Sequence, residues 1–313
     1  MKFGIGTGPQ NVTIDEIVGA WKAADTLGYD SAWLFDHLLP LSANDEDPIY
    51  EAWTLLGALA RATENVDVGT LVSSNTFRHP ALLAKMGATV DALSGGRLIL
   101  GLGSGYLESE HTAYGIPLGS VRERADRLAE ACEVLRGLWT ERRFSYEGTH
   151  YKIADAPCEP KPVRTPHPPI MIGGGGEKLT LQTTARHADQ WNMPPGATGI
   201  APEDFEAKYA VLLERCAEVG RDPAEIETNV GLLVLVNDDA AEATARRDAL
   251  AEAFGMDDET ARKQVIAGDP AGVVAELRRF EAVGVEHFVL ALINGVNYGD
   301  VELFAREVIP AFR

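Results

Sequence analysis

Residues 30–37 read D-S-A-W-L-F-D-H, and this stretch decides how the rest of the sequence is interpreted. The aromatic and aliphatic run Ser31–Phe35 is typical of a buried strand, and Leu27-Gly28-Tyr29 before it is typical of a helix end. The strand ends in two titratable side chains, Asp36 and His37. Barrels of alternating strands and helices build their active sites at the carboxyl ends of the strands. The stretch therefore predicts a parallel α/β fold with a site at this strand end.

A strand followed by helical periodicity recurs along the whole chain. The predicted strands are residues 3–8, 31–35, 66–72, 97–102, 170–176, 189–192, 229–236 and 287–293. The predicted helices are residues 14–27, 47–62, 80–93, 122–139, 177–187, 202–219, 239–254, 259–266, 270–283 and 301–309. The first helix has a capping box, with Thr13 as the N-cap and Glu16 reaching back to it. Eight strands in the main alternation favour a single-domain (β/α)8 TIM barrel over residues 1–313, since a doubly wound sheet rarely needs so many.

Several segments depart from the alternation. Residues 144–153 are predicted to form a β-hairpin, and the proline-rich residues 157–169 an extended linker. We interpret the region near 143–169 as an insertion between barrel units. Residues 103–119 are predicted to be irregular, and residues 38–48 to form a polar, acidic loop long enough to lie over a strand end.

Composition and charge exclude several classes of partner. A formal charge of −19 and a pI near 4.8 argue against nucleic acid and anionic membranes, which bind basic patches. The cysteines, Cys132, Cys158 and Cys216, are odd in number and widely spaced, which is typical of reduced cytosolic thiols. The amino terminus enters a strand without a signal peptide, and no apolar run is long enough to cross a bilayer. The sequence predicts a soluble cytoplasmic protein.

His37 is the first candidate catalytic residue, because an imidazole acts as a base, an acid or a hydrogen-bond donor near pH 7. A structural histidine that caps the following loop is an equally good interpretation of the sequence. Asp36 points to the opposite face if the strand geometry persists. It is therefore a better candidate for a structural acceptor than for a paired acid.

Glycines follow two of the predicted strands. The segment G-L-G-S-G at residues 101–105 lacks the helix start of a dinucleotide fingerprint, and close approach of a flat or bulky group explains its glycines better. Ser104 could bond a ring or a phosphate, and a plain turn would use the same residue. The four glycines at 173–176 leave backbone N–H groups at a predicted helix N-terminus, which favours an anion site over a merely flexible loop. Residues 70–78 end the third strand in small polar residues, where a bulge could sit.

Other common sites have no signature in the sequence. The seven histidines form no H-x-H or H-E-x-x-H pair and have no cysteine at ligand spacing, so we predict no metal site. The sequence contains no G-x-S-x-G nucleophile elbow and no Walker glycine loop with its lysine.

Taken together, the motifs resemble the bacterial luciferase-like superfamily, and within it the oxidoreductases that use the deazaflavin coenzyme F420. The resemblance extends over nearly the whole chain, with the motifs in the same order. They are S-A-W-L-F-D-H (31–37), T-F-R-H-P-A (76–81), G-R-L-I-L-G-L-G-S-G-Y (96–106), E-H-T-A-Y-G-I-P (110–117), L-W-T (138–140), E-G-T-H-Y (147–151), P-P-I-M-I-G-G-G-G (168–176) and A-D-Q-W-N (188–192).

This resemblance implies a TIM barrel with an isoalloxazine-like ring lying over the carboxyl ends of the strands. His37 matches the active-site histidine of the family and Glu110 an acid common in it, and we predict that His37, Glu110 and Tyr106 are catalytic. Leu71-Val72 matches a bulge that contains a non-proline cis peptide behind the ring. The predicted cofactor contacts are Asp36, Leu71, Val72, Ser73, Ser104, Gly105, Gly173, Gly174, Gly175 and Gly176.

The sequence also departs from part of the family. Tyr106 stands where the sugar-phosphate dehydrogenases have a glutamate proton donor, and residues 192–199 lack a basic clamp for a substrate phosphate. A neutral carbonyl, alcohol or activated alkene therefore fits better than a phosphosugar. The implied reaction is hydride transfer between this substrate and F420, with His37 holding or relaying the accompanying proton.

Two other functions are compatible with the sequence. One is a monooxygenase of the same fold that uses flavin mononucleotide (FMN), and the other is a barrel that binds a cofactor without catalysis. A homodimer is also compatible with apolar helix faces such as Leu55, Leu56 and Leu59, although these residues suit a core equally.

Overall fold

The computed structural model describes residues 1–42, 44–194, 199–292 and 298–313. The strands are β1 (Lys2–Thr7), β2 (Ser31–Asp36), β3 (Asp67–Ser74), β4 (Leu98–Gly103), β5 (Phe144–Glu147), β6 (Lys152–Ala156), β7 (Ile170–Gly173), β8 (Gln190–Met193), β9 (Glu227–Val236), β10 (Val265–Gly268) and β11 (His287–Leu292).

The helices alternate with these strands. They are α1 (Ile14–Leu27), α2 (Ala52–Ala62), α3 (Pro80–Ser94), α4 (Glu108–Tyr114), α5 (Val121–Thr140), α6 (Thr180–His187), α7 (Pro202–Val219), α8 (Ala240–Phe254), α9 (Asp258–Gln264), α10 (Pro270–Ala282) and α11 (Tyr298–Leu303). A π-helical turn at Phe304–Val308 and a 3-10 turn at Ile309–Phe312 continue α11. No described helix combines the length and the apolar character that crossing a lipid bilayer requires.

The described residues confirm the predicted (β/α)8 TIM barrel. Eight of their strands run parallel in the order β1-β2-β3-β4-β7-β8-β9-β11, and β11 pairs back onto β1 to close the sheet. Side chains from four of these strands fill the barrel interior, with two residues of β3 packed against them. They are Trp33, Ile99, Met171 and Val289, with Leu71 and Val72. Because the strands are parallel, their carboxyl ends lie on one rim.

The second helix begins later than predicted. The sequence places its start at Asp47-Pro48, but Glu51 is the N-cap, and its carboxylate accepts hydrogen bonds from the N–H groups of Trp53 (3.2 Å) and Thr54 (2.6 Å). The carbonyl of Pro48 accepts from the N–H of Asn11 (3.0 Å). The residues before Glu51 therefore form a loop that is tied to the end of β1.

The sequence does not predict two of the elements. Helix α4 lies inside the segment expected to be irregular; Leu107 gives it no side-chain cap, and it ends at Gly115 in the left-handed conformation. Strand β10 begins with two residues, 265 and 266, that the sequence assigns to the end of a helix, and it pairs in parallel with residues 233–236 of β9. A short apolar run does not distinguish a strand from a helix by its periodicity, so tertiary pairing decides this one.

The predicted insertion is present between α5 and β7. Strands β5 and β6 form an antiparallel hairpin, and Glu130 of α5 accepts hydrogen bonds from the N–H groups of Thr149, His150 and Tyr151 (2.8, 2.9 and 3.1 Å). Asp91 of α3 similarly accepts hydrogen bonds from the N–H groups of Val163 and Arg164 in the proline-rich linker (2.7 and 2.9 Å). Buried and half-buried carboxylates thus fasten the insertion to the outer helices.

The apolar face of α2 faces the core of its own chain. Leu55, Leu56 and Leu59 are 6%, 0% and 0% exposed and belong to the main hydrophobic core. The core interpretation of these leucines is therefore correct, and they offer no free surface to a second chain.

Candidate active site

The three predicted site segments lie on the same rim of the barrel. His37 follows β2, Ser104 follows β4 and Gly174 follows β7, and all three strands point the same way. The side chain of Val72 joins the two glycine segments: a Cβ at Gly103 would lie 2.8 Å from its Cγ2, and a Cβ at Gly173 2.9 Å from its Cγ1. Only glycine leaves Val72 room at both positions, so the glycine hollows adjoin at one place on the rim.

The end of β3 contains the predicted bulge. Leu34 of β2 pairs with Thr70, but Asp36 pairs with Ser73, so β3 has one residue more than β2 over this stretch. The peptide bond between Leu71 and Val72 is a non-proline cis bond, as predicted. The bulge places Leu71 and Val72 at the top of the barrel interior.

The imidazole of His37 is held by a buried carboxylate. Both oxygens of Glu110 lie 3.1 Å from His37 Nδ1, and Glu110 Oε2 also accepts a hydrogen bond from the N–H of Leu38 (2.9 Å). Glu110 is 1% exposed. Burial alone would raise the pKa of Glu110, but the hydrogen bonds from His37, Leu38 and Leu39 hold that pKa below its ordinary value. Glu110 is therefore an ionised acceptor at neutral pH.

Two aromatic rings flank His37. Its ring meets Phe35 and Tyr106 edge-to-face, at centroid distances of 5.6 and 5.7 Å. Tyr106 is 66% exposed, and desolvation together with the charge of Glu110 raises the pKa of its hydroxyl. The three predicted catalytic residues, His37, Glu110 and Tyr106, are thus in one cluster, with Glu110 at its buried side and Tyr106 at its open side.

Asp36 and Ser73 are engaged with the surrounding helices. The buried carboxylate of Asp36 accepts two hydrogen bonds from Arg78 (2.5 and 3.2 Å), and Arg78 also donates to Glu51 at the start of α2. The hydroxyl of Ser73 accepts from the indole N–H of Trp53 (2.7 Å). These contacts agree with Asp36 as a structural acceptor, and a direct contact of either residue with a cofactor stays a prediction.

A hydrogen-bond chain that the sequence analysis missed supports the β4 loop. His111 Nδ1 lies 2.7 Å from the carbonyl oxygen of Leu107, and His111 Nε2 lies 2.6 Å from the hydroxyl of Thr76. A carbonyl only accepts, so Nδ1 carries the proton and Thr76 donates to Nε2. Thr76 lies in turn 2.6 Å from the hydroxyl of Ser74, against which Gly105 packs so closely that a Cβ would be 2.4 Å away.

The glycine loop after β7 offers backbone donors. Gly174 donates its N–H to the carbonyl of Asn192 (2.9 Å) and accepts at its own carbonyl from the indole of Trp191 (2.9 Å). Within the described residues, the N–H groups of Gly175 and Gly176 have no acceptor. Helix α6 begins only at residue 180, three residues later than predicted. The free N–H groups fit an anion such as a phosphate, although they belong to the loop and not to the first turn of the helix.

A cavity of about 370 Å³ opens at the mouth of the barrel beside the bulge. Its lining comes mainly from the ends of β1, β2, β9 and β11. The lining residues are Gly6, Thr7, Trp33, Leu34, Phe35, Leu71, Asn192, Pro194, Gly231, Leu233, Gln264 and Ala291. None of these twelve side chains carries a charge, and Asn192, Gln264 and Thr7 are its polar groups. The cavity therefore suits a small uncharged molecule.

The described residues contain no group of three or more histidine, cysteine, aspartate or glutamate side chains arranged to hold a metal ion. The buried acids at the rim, Asp36 and Glu110, are each held by a protein cation or imidazole instead.

Comparison with known proteins gives consistent matches over the whole fold. Residues 1–264 match the family model described as luciferase-like monooxygenase. An F420-dependent glucose-6-phosphate dehydrogenase of Intrasporangium calvum is 29% identical over 95% of each chain. An F420-dependent hydroxymycolic acid dehydrogenase of Mycobacterium tuberculosis is 32% identical, over 74% of this chain and 62% of its own. The structure of a coenzyme F420 dependent tetrahydromethanopterin reductase from Methanopyrus kandleri superimposes with a TM-score of 0.85 at 24% identity, over 100% of this chain and 99% of its own.

Proposed function

The chain belongs to the luciferase-like monooxygenase family, and from that premise we propose that it is an oxidoreductase that transfers a hydride between coenzyme F420 and a small, uncharged organic substrate. The two relatives described above are named as F420-dependent dehydrogenases, and both resemble this chain over most of its length. Their names support F420 as the cofactor of this chain.

The observation that carries the proposal is the His37 imidazole on the rim that also holds both glycine hollows. The absent side chains at Gly103 and Gly173 let Val72 pack between the two loops, and this residue of the bulge would form the surface under a flat ring. The free N–H groups of Gly175 and Gly176 would hold the phosphate of the cofactor tail. When bound, F420 supplies the two-electron step by accepting a hydride from a substrate C–H bond or returning one.

The protein's own part of the reaction is orientation and proton transfer. An alcohol that gives up a hydride to the cofactor also gives up its O–H proton, and it becomes a carbonyl. His37, which follows β2 on the same rim as Phe35 of the cavity lining, would be the base for that proton, or its donor in the reverse direction. The bent loop at residues 38–42, which follows His37 directly, is held by Gln10 through the N–H of Leu41 (2.7 Å).

The substrate class follows from the lining of the cavity. A phosphorylated substrate needs cations, and the twelve lining residues provide none. Apart from Thr7, Asn192 and Gln264 the lining is apolar, which supports a largely apolar, neutral substrate. We propose a carbonyl, an alcohol or an activated alkene.

Cofactor titration tests the proposal directly. The purified protein is titrated with F420 and, separately, with FMN, and binding is followed by the change in cofactor fluorescence. We expect a micromolar Kd for F420 alone. Tight binding of FMN with oxygen consumption in the presence of reduced FMN would replace the proposal with a flavin monooxygenase.

A substrate panel tests the reaction. Neutral secondary alcohols are offered with F420, and ketones and enones with reduced F420, while glucose 6-phosphate serves as the charged comparison. We expect turnover on neutral compounds and a kcat/KM at least 10²-fold lower for glucose 6-phosphate. F420 binding without turnover on any compound of a broad panel would favour a carrier or sensor.

We also propose a cytoplasmic location and a homodimer. Cys132, Cys158 and Cys216 are all buried and unpaired, which supports a reducing compartment. A groove of about 310 Å³ between α2 and α3, beside the exposed Leu82 and Leu93, supports a contact with a second copy.

A further inference from the structure

We propose that Glu110 is a positioning residue, which places the proton of His37 on Nδ1 and leaves Nε2 as the reactive nitrogen at the barrel mouth. This inference rests on the proposed function, because it concerns the proton step of the same site. It assigns Glu110 a role that differs from direct catalysis: the carboxylate acts through the imidazole and does not touch the substrate.

The tautomer follows from the hydrogen-bond inventory of the pair. An ionised carboxylate has acceptors and no donor, so the ring nitrogen that contacts it must carry a hydrogen. Both oxygens of Glu110 lie 3.1 Å from His37 Nδ1, and Nε2 has no such contact. A neutral imidazole with its hydrogen on Nδ1 has its lone pair on Nε2. Nε2 is therefore the nitrogen that can take a proton.

The burial of the two side chains separates their roles. The Glu110 side chain is 2% exposed and the His37 side chain 13%. Glu110 contacts the ring at Nδ1 and is also fixed by the N–H of Leu38 (2.9 Å). A substrate that enters the rim can reach the imidazole but not the carboxylate. Glu110 can consequently affect the reaction only by holding the ring and by balancing its charge.

The charges around His37 determine whether Glu110 favours or opposes protonation of the ring. Among the residues that the structure describes, the titratable groups that contact its ring are Glu110 from α4 and Tyr106 from the β4 loop, while the neighbouring Asp36 is directed to Arg78. When Nε2 accepts a proton, the imidazolium faces the negative charge of Glu110. That charge stabilises the protonated ring, so alcohol oxidation gains from it in the step that creates the imidazolium.

The substitution Glu110→Gln tests the proposal because it keeps the size of the side chain and removes its charge. A glutamine amide can donate to Nδ1, which would leave the proton of the ring on Nε2 and block it as a base. We expect kcat to fall about 10²-fold or more, while the Kd of F420 changes by less than about threefold. The acid limb of the kcat/KM profile should move to lower pH, because the imidazolium loses its counter-charge. The matched control is Glu108→Gln, an exposed glutamate in the first turn of the same helix.

A second readout needs no cofactor. In protein labelled with ¹⁵N-histidine, the NMR signals of His37 are identified as those missing from the spectrum of His37→Asn. We expect wild type and Glu108→Gln to show a protonated Nδ1 and an unprotonated Nε2, and Glu110→Gln to show a mixed or reversed pattern. An unchanged tautomer together with an unchanged pH profile in Glu110→Gln would make Glu110 a packing residue and overturn the proposal.

Two further outcomes keep this test separate from that of the proposed function. If Glu110→Gln does not fold, Glu110→Asp takes its place, because aspartate retains the charge at a longer distance from the ring. The Glu110→Asp variant should keep the Nδ1 tautomer of His37 and show an intermediate kcat. Loss of that tautomer would contradict the proposal. If the wild-type protein neither binds F420 nor turns over any substrate, the proposed function fails, while the NMR result still decides the role of Glu110.

Discussion

At the scale of single residues, His37 is the side chain on which the proposed chemistry depends. Replacing His37 with alanine removes the proton-transfer group and leaves the glycine hollows and Val72 in place. We expect turnover to fall by about 10²–10⁴-fold and the Kd of F420 to stay within a few-fold. Steady-state kinetics and fluorescence titration on the same preparation measure both. Unchanged turnover in the alanine variant would reduce His37 to the structural role that the sequence alone also allows.

At the opposite end of the barrel, Glu227 has a lowered pKa that links the stability of the fold to pH. Burial alone would raise the pKa of Glu227, but the hydrogen bond from His287 (3.1 Å) and the ion pair with Lys2 (2.5 Å) lower that pKa to about 2. A carboxylate whose folded-state pKa lies below its unfolded value of about 4.3 stabilises the fold above that value, and the stabilisation is lost as pH falls toward 2. We expect Glu227→Gln to lower stability at pH 7 by about 1–3 kcal/mol and to flatten its decline between pH 5 and pH 3.

Thermal melting at several pH values measures this effect. The control is Glu225→Gln, an exposed side chain paired with Arg221 four residues earlier (3.1 Å), for which we expect a change below about 0.5 kcal/mol. Equal flattening in both variants would show that the acid sensitivity of the fold arises from general charge and not from the Glu227 pair.

Sequence reasoning at the residue scale succeeds where a side chain follows a recognisable strand. The placement of His37 is such a case, since β2 and its end are visible in the local pattern. The bulge at Leu71-Val72 is implied by the family resemblance, and the local pattern allows only for a bulge within residues 70–78. The contact of His37 with Glu110 is different, because 73 residues separate the two and only the tertiary fold brings them together. The run of small polar residues that ends β3 signalled an unusual backbone, but it did not indicate that Thr76 bonds His111.

At the scale of elements, α4 is the helix that joins the site together. Consecutive residues of this short helix reach two different strand ends: Glu110 contacts the end of β2, and His111 contacts Thr76 beyond β3. The helix itself follows β4. The sequence predicts all eight barrel strands, because most are apolar runs bounded by glycine, proline or charge, and because the short β8 falls where the alternation of strands and helices requires a strand. It does not predict α4, because seven residues without a side-chain cap depend on these tertiary hydrogen bonds.

Two glycines near α4 provide a matched test of this arrangement. Gly105 and Gly115 both have a positive φ, +78° and +66°, so alanine costs about 1–2 kcal/mol of backbone strain at either. A Cβ at Gly105 would also lie 2.4 Å from Ser74 Oγ, whereas a Cβ at Gly115 meets nothing within 4 Å. We expect both substitutions to lower the melting temperature, and Gly105→Ala alone to raise the Kd of F420 about tenfold or more. Equal Kd values in the two variants would show that the β4 loop does not contact the cofactor.

At the scale of the whole molecule, the two ends of the barrel carry different kinds of groups. The rim at the carboxyl ends collects the glycine segments after β4 and β7, the imidazole after β2 and an uncharged cavity lined mainly from four strands. The opposite end holds the ion pair of Lys2 with Glu227 and the hydrogen bond of Glu227 with His287. The composition anticipates the size of the core and the acidic exterior. It gives no information on which strand ends adjoin, since that depends on the closure of the sheet.

Two copies of the chain are expected to associate through the surface formed by α2 and α3. A groove between α2 and α3 is lined by Trp53, Thr54, Gly57, Lys85, Met86, Thr89, Val90 and Leu93. Leu82 is 56% exposed and lies one helical turn before Met86, so it belongs to the same face of α3. Leu93, 41% exposed, extends this apolar face to the end of the helix.

We expect the wild-type protein to sediment at twice its chain mass of 33.7 kDa, and Leu82→Asp to shift it to the monomer. Burying Leu82 in a symmetric contact stabilises a dimer by about 1.5–3 kcal/mol per copy, and a charge in its place costs at least as much again. The control is Leu213→Asp on α7, where a leucine is 38% exposed outside this face. Sedimentation equilibrium of the three proteins distinguishes the outcomes. A monomeric wild type would exclude a stable dimer. Dissociation of both variants would place the contact on another surface, because Leu82 and Leu213 lie on different helices and have only their exposure in common.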